Sequence, residues 1–196
     1  MQRTLLALAL STALTISAHA QTAASETQRD ANQQDRIEQG LQSGQLSTRE
    51  AGQLERDQQR IDRTEAHDMR DGSLSPAEKA RIQNEQNQAS RDIYRDKHNA
   101  VHGNPNSASS QRLQTDVQRN ANQQQRIANG VKSGQLTNQE TGHLEAGQKR
   151  ETRNEANAAA NGHVGAGEQA HIQGRENRQS QRIYDKKHND KTRPGT

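Results

Sequence analysis

Three side chains in one short turn could offer oxygen ligands to a divalent cation. Asp71, Ser75 and Glu78 lie in the stretch Asp-Gly-Ser-Leu-Ser-Pro-Ala-Glu. Carboxylate and hydroxyl oxygens suit hard cations such as Ca²⁺. These residues are therefore the candidate metal ligands of the chain, and weak binding of Ca²⁺ or Zn²⁺ is the cofactor chemistry that we consider. No organic cofactor is expected.

The turn belongs to a pattern that occurs four times and resembles the EF-hand loop. That loop has glycine at position 6, glutamate at position 12 and oxygen ligands at positions 1, 3 and 5. Here glutamate ends each of the stretches 39–50, 67–78, 129–140 and 157–168. Position 3 is Leu41, Met69, Val131 or Ala159, none of which can coordinate a cation. The other interpretation is a plain helical hairpin, and 67–78 keeps the ion hypothesis open because it has two carboxylates.

Histidines give a second set of candidates. His98 and His102 have the spacing at which two imidazoles can bind one transition metal on a helix, but Gly103 follows at once. Tyr94 and His98 also lie four apart, and the pair recurs as Tyr184 and His188. A ligand contact at the helix end is one interpretation. The other is that the tyrosine packs on the hairpin while the histidine complements the negative end of the helix.

Patterns typical of enzymes are missing from the sequence. It contains no HisGlu-x-x-His, no phosphate-binding glycine loop and no serine in a nucleophile elbow. The chain has no cysteine, which excludes thiol chemistry and disulfides. Acids are plentiful, and we expect them on solvated helix faces. The sequence therefore predicts a protein that is not an enzyme.

The four turns also carry signals for the start and end of helices. Ser47, Ser75 and Thr137 each stand three residues before a glutamate, the spacing of a capping box. Gly165 replaces the hydroxyl residue at the fourth turn, which weakens the cap. A glycine upstream of each cap can end the preceding helix in a left-handed conformation.

A long internal repeat sets the expected architecture. Residues 28–99 align with residues 118–189 without a gap, and nearly half of the positions are identical. Apolar residues follow a helical period, which predicts helices at about 28–41, 48–69 and 76–98 and their equivalents in the second copy. The expected fold class is all-α, with two tandem three-helix modules joined by a flexible linker. A repeat this long indicates two copies of one unit.

The ends of the chain are expected to lie outside the modules. A short apolar run follows Arg3 and leads to Ala18-His19-Ala20, which fits a signal-peptide cleavage site. No later segment is apolar enough to span a membrane, so we expect the mature chain in the periplasm or secreted. The expected divisions are a signal peptide (1–20), a leader (21–27), repeat 1 (28–99), a linker (100–111), repeat 2 (112–189) and a tail (190–196).

The composition of the chain limits the classes of partner that we expect. The formal net charge is +3, but acids and bases alternate, and the chain has two Tyr and no Phe or Trp. Nucleic acid is excluded as an expected partner because stacking platforms and basic runs are missing. Hydrophobic residues make up only 27% of the chain, so a largely disordered surface polypeptide is a further alternative.

The predicted core is thin. The first repeat offers ten large apolar side chains: Ile37, Leu41, Leu46, Leu54, Ile61, Met69, Leu74, Ile82, Ile93 and Tyr94. The second repeat has Glu151 in place of Ile61 and Ala159 in place of Met69. We therefore expect the first repeat to be the better folded of the two.

Two resemblances bear on function. Leu46-Ser-Thr-Arg-Glu50 and its equivalents resemble the LeuThr-x-x-Gln motif of small periplasmic stress chaperones. The pattern SerGlyGlnLeu(Ser/Thr)-x-x-Glu followed by IleTyr-x-x-LysHis is similar to that of a family of short exported proteobacterial proteins without an assigned function. The family pattern also has ArgIleGln before IleTyr, and in the second copy His171 replaces its arginine. The second resemblance implies a recurring module and no particular chemistry. The polar helical repeat, the mixed charge and the missing catalytic pattern predict an exported protein that binds other envelope proteins or self-associates, in a stress or chaperone-like role.

Overall fold

All the regular structure of the described chain is helical. The computed structural model describes the backbone of residues 15–191 and the side chains of residues 23–191. Within that range it contains six α-helices and no strand, which confirms the all-α prediction. The helices are α1 (Thr15–Ser43), α2 (Thr48–Asp68), α3 (Pro76–Lys97), α4 (Ala108–Lys132), α5 (Asn138–Ala159) and α6 (Ala166–Lys187).

The helix boundaries lie at the turns that the sequence indicates. Ser47, Ser75 and Thr137 are N-caps with complete capping boxes. At Gly165 only half of the box remains, because the backbone N–H still donates to the Glu168 carboxylate at 2.8 Å but glycine has no acceptor side chain. The glycines that precede these caps have φ between 73° and 87°, a region that favours glycine. Local capping chemistry therefore places these helix ends.

Two segments outside the predicted helices are more ordered than the sequence suggests. The expected leader, residues 21–27, lies inside α1, which starts at Thr15. The signal-peptide prediction falls largely on residues outside the described range. In the expected linker, the Gly103 N–H donates to the Gly44 carbonyl at 2.9 Å. A Cβ on Gly103 would lie 2.2 Å from the Leu46 carbonyl oxygen, so this segment packs closely against the turn between α1 and α2.

The two helix triplets, α1–α3 and α4–α6, pack on each other through antiparallel helix pairs. Helix α2 lies along α5, with Gly52 near its start against Ala159 at the end of α5. Helix α1 lies along α4, where Gln28 and Gln125 exchange amide hydrogen bonds of 3.0 and 3.2 Å. These two pairs form the largest contacts between helices in the molecule.

The apolar core is divided into two clusters, and each cluster draws on both triplets. One includes Leu41, Leu54 and Ile93 of the first triplet with Leu113 and Ile172 of the second. The other combines Met69, Leu74 and Ile82 with Ile127 and Ile183. Along α2, Leu54 belongs to one cluster and Met69 to the other. The segment of α2 between them faces a polar interior.

The core prediction for the first repeat is right at nine of ten positions. Every predicted core side chain other than that of Tyr94 is buried. The prediction that Tyr94 belongs to the core is wrong, since its side chain is 62% exposed. The reason is helical geometry: Tyr94 follows the buried Ile93 directly and therefore projects from a different face of α3.

Among residues 15–191, no helix combines the length and the apolar character that crossing a bilayer requires.

Candidate functional site

The candidate metal ligands Ser75 and Glu78 meet, but as a helix cap. The Glu78 backbone N–H donates to Ser75 Oγ at 3.3 Å, and the Ser75 backbone N–H donates to Glu78 Oε2 at 2.8 Å. The hydroxyl and one carboxylate oxygen are thus used by the start of α3. This is the geometry that the helical-hairpin interpretation requires.

Asp71 lies in the same turn and uses its carboxylate locally. Its Oδ1 accepts from the backbone N–H and the hydroxyl of Ser73, both at 2.9 Å. These hydrogen bonds hold the pKa of Asp71 below its usual value. In the described part of the chain, no group of three or more His, Asp or Glu side chains has an arrangement that could hold a metal ion.

The repeated tyrosine–histidine pairs form two exposed stacks. The ring centroids of Tyr94 and His98 are 4.1 Å apart with an interplanar angle of 22°, and Tyr184 and His188 match them at 4.1 Å and 24°. His98 Nδ1 lies 2.7 Å from the Tyr94 carbonyl oxygen, and the same contact occurs in the second pair. The histidines therefore complete the helix ends, and the tyrosines are exposed beside them.

A group of acids that the sequence analysis did not single out lies in the polar interior. We call it the central acid cluster: Asp30 of α1, Glu55, Asp62 and Glu65 of α2, and Glu145 and Glu155 of α5. All six side chains are buried, and none is more than 2% exposed. Our expectation that the acids lie on solvated faces is wrong here, because α5 covers the face of α2 that carries them.

Helical spacing aligns these groups. Glu55, Gln58, Asp62 and Glu65 follow steps of three and four residues, so they share one face of α2. Glu145 and Glu155 occupy the equivalent face of α5. Because α2 and α5 are antiparallel, Glu55 meets Glu155, and Glu65 lies near Glu145.

Two pairs of carboxyl groups in the cluster touch. Asp30 and Glu65 are within hydrogen-bonding contact, as are Glu55 and Glu155. No N–H or O–H donor within the described chain reaches either carboxylate oxygen of Glu65, nor Oε1 of Glu155. A proton on one member of each pair would supply the missing donor.

Neutral side chains supply the other hydrogen bonds. Gln34 Nε2 donates to Glu55 at 3.0 Å, and the equivalent Gln124 donates to Glu145 at 3.0 Å. Three further donors serve the cluster: Gln86 to Asp30 at 2.8 Å, Asn120 to Glu155 at 3.2 Å and Thr152 to Asp62 at 3.0 Å. Amides and a hydroxyl satisfy part of the acids' bonding capacity without adding positive charge.

No lysine or arginine forms an ion pair with the cluster within residues 23–191. Peripheral buried acids differ: Asp68 is held by Arg81, and Asp92 lies 2.5 Å from Arg95. The buried side chains of the described region include no basic residue. Ionised acids in the cluster would therefore lack a counter-charge, which is costly in a dry interior.

Burial and mutual repulsion raise the pKa values of the cluster. Desolvation raises the pKa of Glu65 well above its usual value, and repulsion from Asp30 and Glu145 raises it further. The pKa of Glu155 is raised by the same loss of hydration and by the charge of Glu55. Hydrogen bonds from amides oppose these shifts without reversing them.

A flanking pair of acids in the second triplet behaves similarly. Burial raises the pKa of Asp116 to about 7, although Arg119 acts against the shift. Burial together with Asp116 raises the pKa of Glu176 to about 8. Arg119 Nε lies 2.8 Å from a Glu176 oxygen, so even an ion pair does not offset the loss of hydration there.

The cluster can bind and release protons at buried positions. Its fully buried carboxyl groups have no exposed surface through which a substrate could reach them. The sequence does hold a signal for it: glutamate recurs at 55 and 145 and at 65 and 155, and glutamine at 58 and 148.

The chain matches no family model, no curated protein sequence and no solved structure in comparisons with known proteins.

Proposed function

We propose that this chain is an exported, non-enzymatic protein of two tandem three-helix modules that binds other proteins and serves a chaperone-like stress role in the periplasm or outside the cell. The partners that we propose are unfolded polypeptides with exposed apolar segments. The observation that carries the proposal is the placement of the two tyrosines. They are the only aromatic residues among Phe, Trp and Tyr in the chain, and both are exposed.

A protein this poor in apolar side chains gains most from burying its largest ones. Tyr94 and Tyr184 instead remain 62% and 53% exposed, at equivalent positions near the ends of α3 and α6. Each is stacked on a histidine, which fixes its ring at the surface. Aromatic side chains are enriched at protein interfaces, because they give a large contact area at a small cost in conformational entropy.

Basic and acidic residues flank both stacks, and Arg95 beside Tyr94 forms ion pairs with Asp92 and Asp96. Arg91 and Arg95 lie within one turn of Tyr94, and Lys186 and Lys187 follow Tyr184. An aromatic ring among charges of both signs suits apolar polypeptide segments that also carry charged residues. The absence of a catalytic pattern in the sequence supports a binding role over an enzymatic one.

The test is suppression of aggregation of a defined client, reduced insulin, by the mature chain. Replacing both tyrosines by alanine should raise the concentration that halves the light scattering by about tenfold, a change expected from losing aromatic contacts at an interface. The thermal midpoint should stay unchanged, because the exposed rings contribute little to the fold.

The matched control is Val101→Ala, which shortens another exposed apolar side chain in the described region. It should leave the suppression as it is. If the unaltered protein fails to suppress aggregation at any ratio, or if the double variant suppresses it equally well, the proposal is wrong.

A further inference from the structure

Acidic side chains of both helices lie at the contact between α2 and α5. Glu55 of α2 touches Glu155 of α5, while Asp62 and Glu65 of α2 lie near Glu145 of α5. We propose that the closed bundle holds one shared proton in each of two buried carboxyl pairs, Asp30–Glu65 and Glu55–Glu155, and that loss of these protons opens the contact between the two helix triplets.

The shared proton follows from the geometry. Two ionised carboxylates have only acceptor atoms and cannot hydrogen-bond to each other. The contacts between Asp30 and Glu65 and between Glu55 and Glu155 each need one hydrogen. Oxygens of all four groups otherwise lack a donor among the described residues. One proton per pair supplies a donor between its two members and leaves one negative charge, as in other carboxyl dyads.

The helices packed around the pairs offer little counter-charge. Arg29 lowers the pKa of Asp30, but burial, the contacts with Glu65 and Gln86, and the charge of Glu26 all have larger effects. Helices α3 and α4 offer the amides of Gln86 and Asn120. Five further acids act on the pairs: Glu26, Asp62, Asp116, Glu145 and Glu176. Protons are therefore the cations that the interior itself can accommodate.

Opening follows from where the released charge appears. When each shared proton passes to water, both members of the pair are carboxylates. One pair then carries like charges on α2 and α5, and the other adds charge to α2 opposite Glu145. Repulsion across a poorly solvated contact is strong, and hydration of the ions favours separation. Separation of the two helix triplets would expose the apolar side chains of both apolar clusters to solvent.

This inference goes beyond the proposed function, since the trigger operates on the protein alone and does not require a client. Its first test is urea unfolding of the intact chain between pH 5 and 7. The two shared protons, held by the folded state and released by the unfolded chain, should raise the unfolding equilibrium constant at least about a hundredfold per pH unit, and the raised pKa values of Glu145, Asp116 and Glu176 add to this dependence. An equilibrium constant that is independent of pH, or that falls as pH rises, would overturn the proposal.

The second test replaces the shared proton by a permanent donor. Glu55→Gln has nearly the same shape and offers an N–H to Glu155 at every pH. We expect it to weaken the dependence by a factor of about ten per pH unit, because one titrating pair is removed. Asp185→Asn, which removes an exposed acid of α6, is the matched control and should leave the dependence unchanged.

Infrared spectroscopy provides a readout that does not depend on a variant folding. The native chain at pH 6 should show the carbonyl band of protonated carboxylic acids, and the band should disappear as the pH reaches 9. A native spectrum at pH 6 without that band would contradict the shared protons.

Opening is measured as a distance between the triplets. The chain has no cysteine, so Gln53→Cys and Asn157→Cys introduce two unique spin-label sites at exposed positions of α2 and α5. The distance between the labels should be short and narrowly distributed at pH 5.5, and longer and broader at pH 8.5. An identical distribution at both values would show that the protons do not control the contact.

A divalent cation is the competing occupant of the cluster, and the same samples test it. If millimolar Ca²⁺ or Mn²⁺ restored the pH 5.5 distance at pH 8.5, and Glu65→Gln abolished that effect, a cation would replace the proton as the controlling ligand. That result would overturn the proposal. No effect of either cation or of a chelator is the outcome that supports it.

Discussion

At two pairs of equivalent positions, one copy of the repeat has an acid where the other has an amide. Asp30 corresponds to Asn120, and Gln86 corresponds to Glu176. Asn120 donates to Glu155 at 3.2 Å, whereas Asp30 can contact the equivalent Glu65 only through a proton. The chain therefore contains both a permanent and a titratable version of one buried hydrogen bond.

The natural difference between these positions gives a prediction. Asp30→Asn should stabilise the protein at pH 8 by about 1–3 kcal/mol, because the amide satisfies an otherwise unpaired buried group. At pH 5 the effect should be small, since the carboxyl pair is then protonated. The raised pKa of Asp30 sets the direction: its stabilising proton is present at low pH and lost as the pH rises. Urea denaturation at both pH values measures the change.

The reverse substitution is the control for that prediction. Asn120→Asp removes the permanent donor to Glu155 and should destabilise the protein most at pH 8. Equal effects of Asp30→Asn at pH 5 and pH 8 would contradict the argument, because the gain would then be unrelated to ionisation.

At the scale of elements, glycines set how closely the helices approach. A Cβ on Gly52 would lie 2.6 Å from the Cβ of Ala159, so α2 and α5 come together through their smallest side chains. Gly142 makes the equivalent approach to Met69, where the Cβ distance would be 3.1 Å. Gly174 in α6 is different, because its nearest atom would be Arg178 Nη1 at 3.9 Å. The same residue type thus permits packing in α5 and only weakens the helix in α6.

Gly52→Ala and Gly174→Ala should consequently have opposite signs. The first should destabilise the protein by about 1–3 kcal/mol, because an added methyl group overpacks the contact with α5. The second should stabilise it by about 0.5–1 kcal/mol through the lower backbone entropy of alanine in the unfolded state. Thermal or urea unfolding of the two variants checks this. Stabilisation by Gly52→Ala would show that α2 and α5 are farther apart than we describe.

For the whole molecule, both apolar clusters contain residues of both triplets. Neither triplet can keep its apolar side chains buried if the other leaves. Our sequence-based expectation that the first repeat is the better folded treats the copies as independent. The contacts α1–α4 and α2–α5 connect them instead.

We therefore expect the intact chain to unfold in a single cooperative transition at pH 5.5. Amide exchange should give the slowest amides of α2 and α5 the same opening free energy, because global unfolding exposes both. Slow exchange of α2 that persists after α5 has exchanged fully would contradict this and would restore the expectation of a more stable first repeat.

Helix positions were predictable because their signals are local. A hydroxyl residue three positions before glutamate, a glycine that can adopt positive φ and apolar residues at helical spacing act within a few residues of one another. The boundaries at Ser47, Ser75 and Thr137 follow from these signals alone. The packed segment around Gly103 was not predictable in this way, since contacts with the distant residues Gly44 and Leu46 order it.

By itself, the sequence determined the helical class, the cap residues and the two-copy pattern, because covalently near residues interact whatever the rest of the chain does. Only the tertiary structure decided which helix faces are shielded from water. The spacing of Glu55 and Glu65 along α2 fits a helix face exposed to solvent as well as a buried face. They are buried because α5 packs against that face. Tyr94, adjacent to buried Ile93, is left at the surface. Burial depends on what packs against a face, and that partner lies about ninety residues away in the chain.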